Sequence, residues 1–183
     1  FTRAADPAKA ALALQASEVA MDRSAGDAQY ARAQSEHGKA LYELGRETEA
    51  KAQGVDDAWL VAPDGFVTEG ASANAWIVTK DGEIITRALS NMILAGITRH
   101  ALFDSLGQQG RKITERSFTL EEAKNAAEAF VTAATGLVTP VTEIDGVKLG
   151  GGKPGPVTRG VQKIYYTAIG ADVSKAAPWV NVG

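Results

Sequence analysis

The pattern of apolar and polar positions divides the chain near residue 53. Residues 2–53 are rich in Ala, Gln, Glu, Arg and Lys, a composition typical of helices. The pair Asp6-Pro7 supplies a good N-cap and first helical position, so it predicts a helix that ends at about Met21. A second helix is predicted over 27–53. Its apolar stripe recurs at spacings of three and four, at Tyr30, Ala33, His37, Leu41 and Leu44.

From Gly54 onward, Val, Ile, Thr, Gly and Trp become frequent, and short apolar runs alternate with turn residues. Such runs predict strands, and the Gly-containing segments 63–65, 80–83 and 150–155 predict turns. The predicted strands are 58–61, 75–79, 84–86, 112–116, 129–132 and 137–141. The predicted helices are 96–106, 119–127 and 156–169, the second opening on the capping-box pair Thr119 and Glu122. The expected fold class is therefore α/β (α+β), a mostly strand-built layer with helices.

Composition excludes several classes of function. The chain has 183 residues, a net charge of −3, no cysteine and two histidines. The charge gives no support for a nucleic-acid partner or a polybasic membrane anchor, and no apolar run approaches the ~18 residues of a membrane span. Without cysteines, disulfide scaffolds, thiolate metal sites and Cys nucleophiles are excluded, and two histidines do not make a His-rich metal centre. The absence of cysteine and of an export signal favours a cytoplasmic protein.

Five motifs follow one another in the second part of the chain. They are Val67-Thr68-Glu69-Gly70-Ala71-Ser72-Ala73-Asn74, then 93–99, then 129–135 with 138–141, then Ile144-Asp145-Gly146, and last Gly152-Lys153-Pro154-Gly155-Pro156. In these motifs the chain resembles the class IV aminotransferases, pyridoxal-phosphate enzymes of fold type IV. That family includes branched-chain, D-amino-acid and (R)-amine transaminases and aminodeoxychorismate lyase. The resemblance covers about residues 54–169 and implies a C-terminal domain at 54–183.

The resemblance implies a role for Glu69 beside the pyridine nitrogen of pyridoxal 5'-phosphate. A carboxylate there keeps the nitrogen protonated and makes the cofactor a better electron sink. A solvated or Arg-paired glutamate at a strand end is the alternative. Leu94 would pack against one face of the cofactor ring, or else be buried in the protein core.

The phosphate group needs N–H donors, which a helix N-terminus supplies. By resemblance, Gly96, Ile97 and Thr98 bind the phosphate at the start of the predicted helix. Three further residues complete the phosphate cup and border the substrate: Ala133, Ala134 and Thr135. Family members often carry a hydroxyl residue where this chain has Ala134, and losing that contact costs about 1–2 kcal/mol of cofactor affinity.

Two polar residues after Glu69 have an expected structural role. Ser72 and Asn74 are expected to shape the loop that follows Glu69, and side-chain hydrogen bonds that only stabilise a turn are the alternative. The glycines of 150–152 lack the spacing of a phosphate loop, so we interpret them as a structural turn.

Residues 1–53 depart from the family, because they are too short and too helical for its amino-terminal α/β domain. The family's catalytic lysine forms the Schiff base with the cofactor and moves the substrate proton. Lys39 is nearest the expected position, but its flanking residues do not match, and a solvated helix lysine is the alternative. The chain is then a fragment, a product with an altered first segment, or a shortened homologue.

The expected function is pyridoxal-phosphate-dependent transamination between an amino acid or amine and a 2-oxo acid, of the branched-chain, D-amino-acid or (R)-amine type. The partners are a small amino donor and a 2-oxo acid acceptor, in a homodimer or higher homo-oligomer. One alternative is a lyase of the aminodeoxychorismate type. The other is a non-catalytic scaffold or interaction protein whose working surface is the helical hairpin of residues 1–53.

Overall fold

A computed structural model describes residues 16–20, 57–62, 64–70, 72–90 and 93–172. The strands are β1 (Ala16–Ala20), β2 (Asp57–Val61), β3 (Val67–Gly70), β4 (Asn74–Val78), β5 (Ile84–Thr86), β6 (Ile113–Glu115), β7 (Glu128–Ala133), β8 (Leu137–Val141), β9 (Glu143–Ile144) and β10 (Val147–Lys148). The helices are α1 (Ile97–Gln108), α2 (Leu120–Lys124) and α3 (Pro156–Ala168). The expected mixed fold class is thus confirmed.

In the described ranges the strands form two five-stranded sheets. The first has the order β10-β9-β1-β2-β3, and its neighbours are antiparallel. The second has the order β6-β5-β4-β7-β8, in which only β5 and β6 run parallel. A parallel pair needs a long crossover, and α1 provides it because it lies between β5 and β6 in the chain.

The second sheet is covered on both faces. Side chains alternate along a strand, so Ala75 and Ile77 enter one apolar core with Trp59 of the first sheet. Trp76 and Val78 point the other way, into a core that also contains residues of α1 and α3. All five residues of β4 are consequently buried, and the described residues form three layers: the first sheet, the second sheet, and α1 with α3.

The strands and helices predicted after residue 57 are confirmed to within two residues at each end, except for one helix, and β3, β9 and β10 were not predicted. The helix predicted over 119–127 ends at Lys124. The Asn125 side chain donates to the carbonyl of Glu121 at 2.8 Å, and the Ala127 N–H bonds to the Val78 carbonyl at 2.9 Å. The backbone at Ala127 therefore bonds to the second sheet, and the helix does not continue to this residue. No helix in the described part of the chain is long and apolar enough to cross a membrane.

The first predicted helix is wrong over residues 16–20, which form β1. This strand pairs with β2 on one side and with β9 on the other. Hydrogen bonding to two neighbouring strands outweighs helix propensity, which differs by less than about 1 kcal/mol per residue among these residue types. The rest of that helix and the second predicted helix lie outside the described residues.

The N-terminus of α2 forms half of the predicted capping box. The Glu122 N–H donates to Thr119 Oγ1 at 3.1 Å. The Glu122 carboxylate, however, pairs with the Arg116 guanidinium instead of turning back to the N-cap. That hydrogen bond is the main reason why the pKa of Arg116 is raised above its ordinary value. The Glu122 carboxylate thus binds the charged Arg116 side chain and not the backbone N–H of the N-cap residue.

Thr119→Ala should therefore lower the free energy of unfolding by about 1 kcal/mol, since it removes a cap from an N–H donor. The measurement is urea unfolding followed by circular dichroism. Thr119→Ser retains the hydroxyl and serves as the matched control. Equal unfolding midpoints for the alanine and serine variants would show that the cap does not stabilise the fold.

Candidate functional site

The backbone of Leu94 connects three elements at one end of the second sheet. Its N–H donates to Glu69 Oε2, at the end of β3, at 2.8 Å. Its carbonyl accepts from Asn74 Nδ2, at the start of β4, at 2.8 Å. The same carbonyl accepts from the N–H of Gly96 at 2.9 Å. Glu69 and the beginning of α1 are therefore held by one short loop, residues 93–96, which we call the connecting loop.

Helix α1 begins in a way that favours an anion. Its N-cap residue is Gly96, which supplies no side-chain hydrogen bond, and its first turn contains no acidic residue. The first N–H groups of a helix lack partners within the helix and carry partial positive charge. A Cβ on Gly96 would lie 2.3 Å from Asn74 Oδ1, so this position excludes any side chain. Glycine at the N-cap thus places no side chain of residue 96 over the first N–H groups of α1, the kind of group that binds a phosphate or carboxylate.

Helix α3 shows the opposite arrangement, because the protein supplies the anion itself. The buried carboxylate of Glu128 accepts the N–H of Val157 at 2.9 Å and that of Thr158 at 2.7 Å. A Cβ on the N-cap residue, Gly155, would lie 2.1 Å from Glu128 Cδ. Of these two long helices, only α1 begins without a carboxylate from its own first turn or from a neighbouring strand in the contacts described here.

Two large apolar side chains are exposed beside the entry of α1. Leu94 is 74% exposed and Ile97 is 76% exposed. Core burial, the alternative considered for Leu94, is therefore wrong. An apolar surface next to the N–H groups of a helix entry suits a ligand that combines a ring with a phosphate. Among the described residues, no group of three or more His, Asp or Glu side chains is placed to hold a metal ion.

The hydroxyl of Thr98 has a partner within the protein. Thr98 is 3% exposed, and its Oγ1 donates to the carbonyl of Ala133 at 3.0 Å. This bond joins the first turn of α1 to the end of β7, where Ala134 and Thr135 lie exposed in the following turn. Because the single hydroxyl proton is engaged, the donor that Thr98 retains for an anion is its backbone N–H.

Arg99 is a residue of this region to which the sequence assigned no role. Its guanidinium is buried, lies 4.6 Å from the ring centroid of Phe103, and donates to Glu115 Oε1 at 2.5 Å. It also donates to the carbonyl of Arg87 at 3.1 Å. Arg99 thus ties the first turn of α1 to β6 and to the segment after β5. Its place in the motif 93–99 was the one sign in the sequence that Arg99 belongs to this region. Its hydrogen-bond partners lie 12 and 16 positions away, so the sequence could not identify them.

Most of the predicted site residues come together. The bonds above join Glu69, Leu94, Gly96, Thr98 and Ala133 into one region. Asn74 belongs to the same region, but its expected role is wrong: its amide bonds to Leu94, twenty positions later, and not within the loop after Glu69. Lys39 lies outside the described residues.

Known proteins share these motifs and this fold. A family model for amino-transferase class IV matches residues 3–144, so the chain belongs to this family. A branched-chain-amino-acid aminotransferase of Pseudomonas aeruginosa is 38% identical over 131 residues, 72% of this chain and 42% of that protein. A D-alanine aminotransferase of Bacillus licheniformis is 37% identical over 135 residues, 74% of this chain and 47% of that protein.

Solved structures agree with the sequence relatives. The branched-chain aminotransferase of Thermoproteus uzoniensis, crystallised with norvaline, superposes with a TM-score of 0.63 at 35% identity. The superposition covers 78% of this chain and 46% of that one. The chain thus spans less than half the length of each of these three proteins.

Proposed function

We propose that the chain carries the cofactor-binding part of a pyridoxal-phosphate-dependent aminotransferase. One observation carries the proposal: the Leu94 backbone joins the Glu69 carboxylate to the entry of α1. A phosphorylated pyridine needs an anion site for its phosphate and a carboxylate for its ring nitrogen. The connecting loop holds both kinds of group together, beside the exposed side chains of Leu94 and Ile97.

The residues present fit this cofactor, which when bound supplies an electron sink for charge formed at the substrate Cα. The N–H groups of Ile97 and Thr98 would bind the phosphate, aided by the helix dipole. Glu69 would hold a proton at the ring nitrogen. Leu94 would cover a ring face, and its 74% exposed side chain is free to do so.

Three further residues would border the phosphate and the substrate. Ala133, Ala134 and Thr135 connect β7 to β8, next to the first turn of α1. Ala134 offers its N–H but no hydroxyl. Lys39 remains the proposed lysine that binds the cofactor covalently and moves the proton at the substrate Cα.

The proposed reaction is transfer of an amino group from an amino acid to a 2-oxo acid. The relatives carry the names of branched-chain and D-alanine aminotransferases. We therefore propose a branched-chain amino acid or a D-amino acid as donor. By the same family resemblance, we propose a homodimer or higher homo-oligomer and a cytoplasmic location, which light scattering and fractionation would test.

Titration of the purified protein with pyridoxal phosphate tests the proposal. We expect visible absorbance that survives dialysis, is displaced by excess inorganic phosphate, and after borohydride reduction maps to one lysine. Pyridoxal without its phosphate is the matched control and should bind much more weakly, because it lacks the group that α1 recognises.

Two outcomes of this titration would contradict the proposal. One is adduct spread over exposed lysines such as Lys80 and Lys163, removed by dialysis. The other is equal affinity for pyridoxal and pyridoxal phosphate, which would show that the entry of α1 does not bind the anion.

A further inference from the structure

We infer that Asn74 is a positioning residue for the proposed cofactor site. It holds the connecting loop so that the Glu69 carboxylate and the first turn of α1 keep one fixed arrangement. The inference rests on the proposed function and deepens it. It assigns a task to a side chain that bonds to the loop and not to Glu69.

Asn74 is itself held firmly. It is the first residue of β4, its backbone lies opposite Thr132 of β7, and it is 4% exposed. A buried amide in a paired strand has little freedom, so its two polar atoms act as fixed points. Its Nδ2 reaches the Leu94 carbonyl at 2.8 Å.

The other polar atom of Asn74 meets the opposite end of the loop. A Cβ on residue 96 would lie 2.3 Å from Asn74 Oδ1 and 3.5 Å from Asn74 Cγ. A side chain at position 96 is therefore incompatible with Asn74 in its present place. One amide group thus fits against both Leu94 and Gly96, the residues between which the chain turns into α1.

The consequence follows from the hydrogen bonds that the Leu94 backbone makes. Its carbonyl is held by Asn74, and its N–H donates to Glu69 at 2.8 Å. A change in the backbone dihedral angles of Leu94 would strain or break these bonds and would move Gly96, from which the first turn of α1 begins. Thr98 is held independently by Ala133, so loss of Asn74 should loosen the entry of α1 without unfolding the helix.

The main variants are Asn74→Ala and Asn74→Asp. We expect Asn74→Ala to bind pyridoxal phosphate, and inorganic phosphate in competition with it, about tenfold more weakly, the effect of one lost hydrogen bond. Asn74→Asp keeps the volume but loses the Nδ2 donor and places a negative charge beside the anion site. It should bind phosphate more weakly than the alanine variant, and it remains informative if the alanine variant fails to fold.

Hydrogen exchange supplies a readout that general loss of packing would not reproduce. In the cofactor-free protein, both Asn74 variants should exchange the Leu94 amide at least about tenfold faster. The Thr79 amide, bonded to the Glu83 carbonyl at 2.9 Å in a distant turn, should not change. Equal acceleration at both amides would mean global destabilisation and would overturn the positioning role.

A double-mutant cycle tests the contact with Gly96. Gly96→Ala should weaken phosphate binding strongly while Asn74 is present, and much less in the Asn74→Ala background, where the collision is gone. Gly107→Ala in the same helix is the matched control, because a Cβ there meets nothing within 4 Å. Additive effects of the two substitutions would overturn the inference.

The positioning role and the proposed function fail on different results. If the wild type binds pyridoxal phosphate and the Asn74 variants bind it equally well, the positioning role is wrong and the proposed function stands. If the wild type binds no pyridoxal phosphate, the proposed function fails. Leu94 exchange in the cofactor-free protein then decides by itself whether Asn74 holds the loop.

Discussion

Glu69→Ala is expected to lower the rate of transamination by roughly 10²- to 10³-fold, the effect of removing one preorganised electrostatic group from a reacting centre. The carboxylate stands at the end of β3, and the connecting loop holds it through the Leu94 N–H at 2.8 Å. Without its charge the ring nitrogen would lose its proton, and the cofactor would accept electrons less well. The measurement is kcat with D-alanine or leucine as donor and 2-oxoglutarate as acceptor.

Glu69→Gln removes the negative charge of residue 69 but can keep its hydrogen bond with the connecting loop. Glutamine retains an oxygen for the Leu94 N–H, so the affinity for pyridoxal phosphate should stay near that of the wild type while kcat falls. Glu121→Ala removes a 78% exposed carboxylate on α2 and is the control for loss of one negative charge. Full activity of the glutamine variant would remove the Glu69 charge from the mechanism.

Glu128→Ala is expected to give the largest loss of stability, about 3 kcal/mol, because it leaves two N–H donors at the entry of α3 without their acceptor. Val157 and Thr158 both donate to this buried carboxylate. The free energy of unfolding is measured in urea, where a lower midpoint with an unchanged slope identifies a change in stability.

Gly155→Ala tests the contact between Glu128 and the entry of α3 by a substitution on the helix side. Its Cβ would lie 2.4 Å or less from three atoms of Glu128, so the carboxylate must shift, at a cost of about 1–3 kcal/mol. In the Glu128→Ala background this cost should largely disappear. Gly107→Ala, in open space within α1, should instead be neutral or stabilising. A stable Glu128→Ala variant would mean that water replaces the cap.

Three polar side chains differ in how far along the chain their partners lie. The bond from the Glu122 N–H to Thr119 was predictable because its partners are three residues apart. The roles of Asn74 and Glu128 were not, since their partners lie 20 and 29 positions away. The sequence pattern does not encode which buried polar group will face which helix entry.

The strand over 16–20 illustrates the same limit for secondary structure. Its composition predicted a helix, yet it forms β1, which pairs with β2 on one side and β9 on the other. By contrast, Gly82 adopts φ +82° in a turn that its local sequence already predicted. Local chemistry decided the turn, and distant pairing decided the strand.

The sequence by itself determined that this chain is a mixed α and β protein with ordered motifs of class IV aminotransferases. Periodicity, turn residues and caps act over a few positions, so they can be interpreted without a structure. The tertiary structure alone decided that Leu94 is exposed, that Thr98 bonds to Ala133, and that Asn74 meets Gly96. These contacts depend on how two sheets and α1 pack together, which is a property of the whole fold.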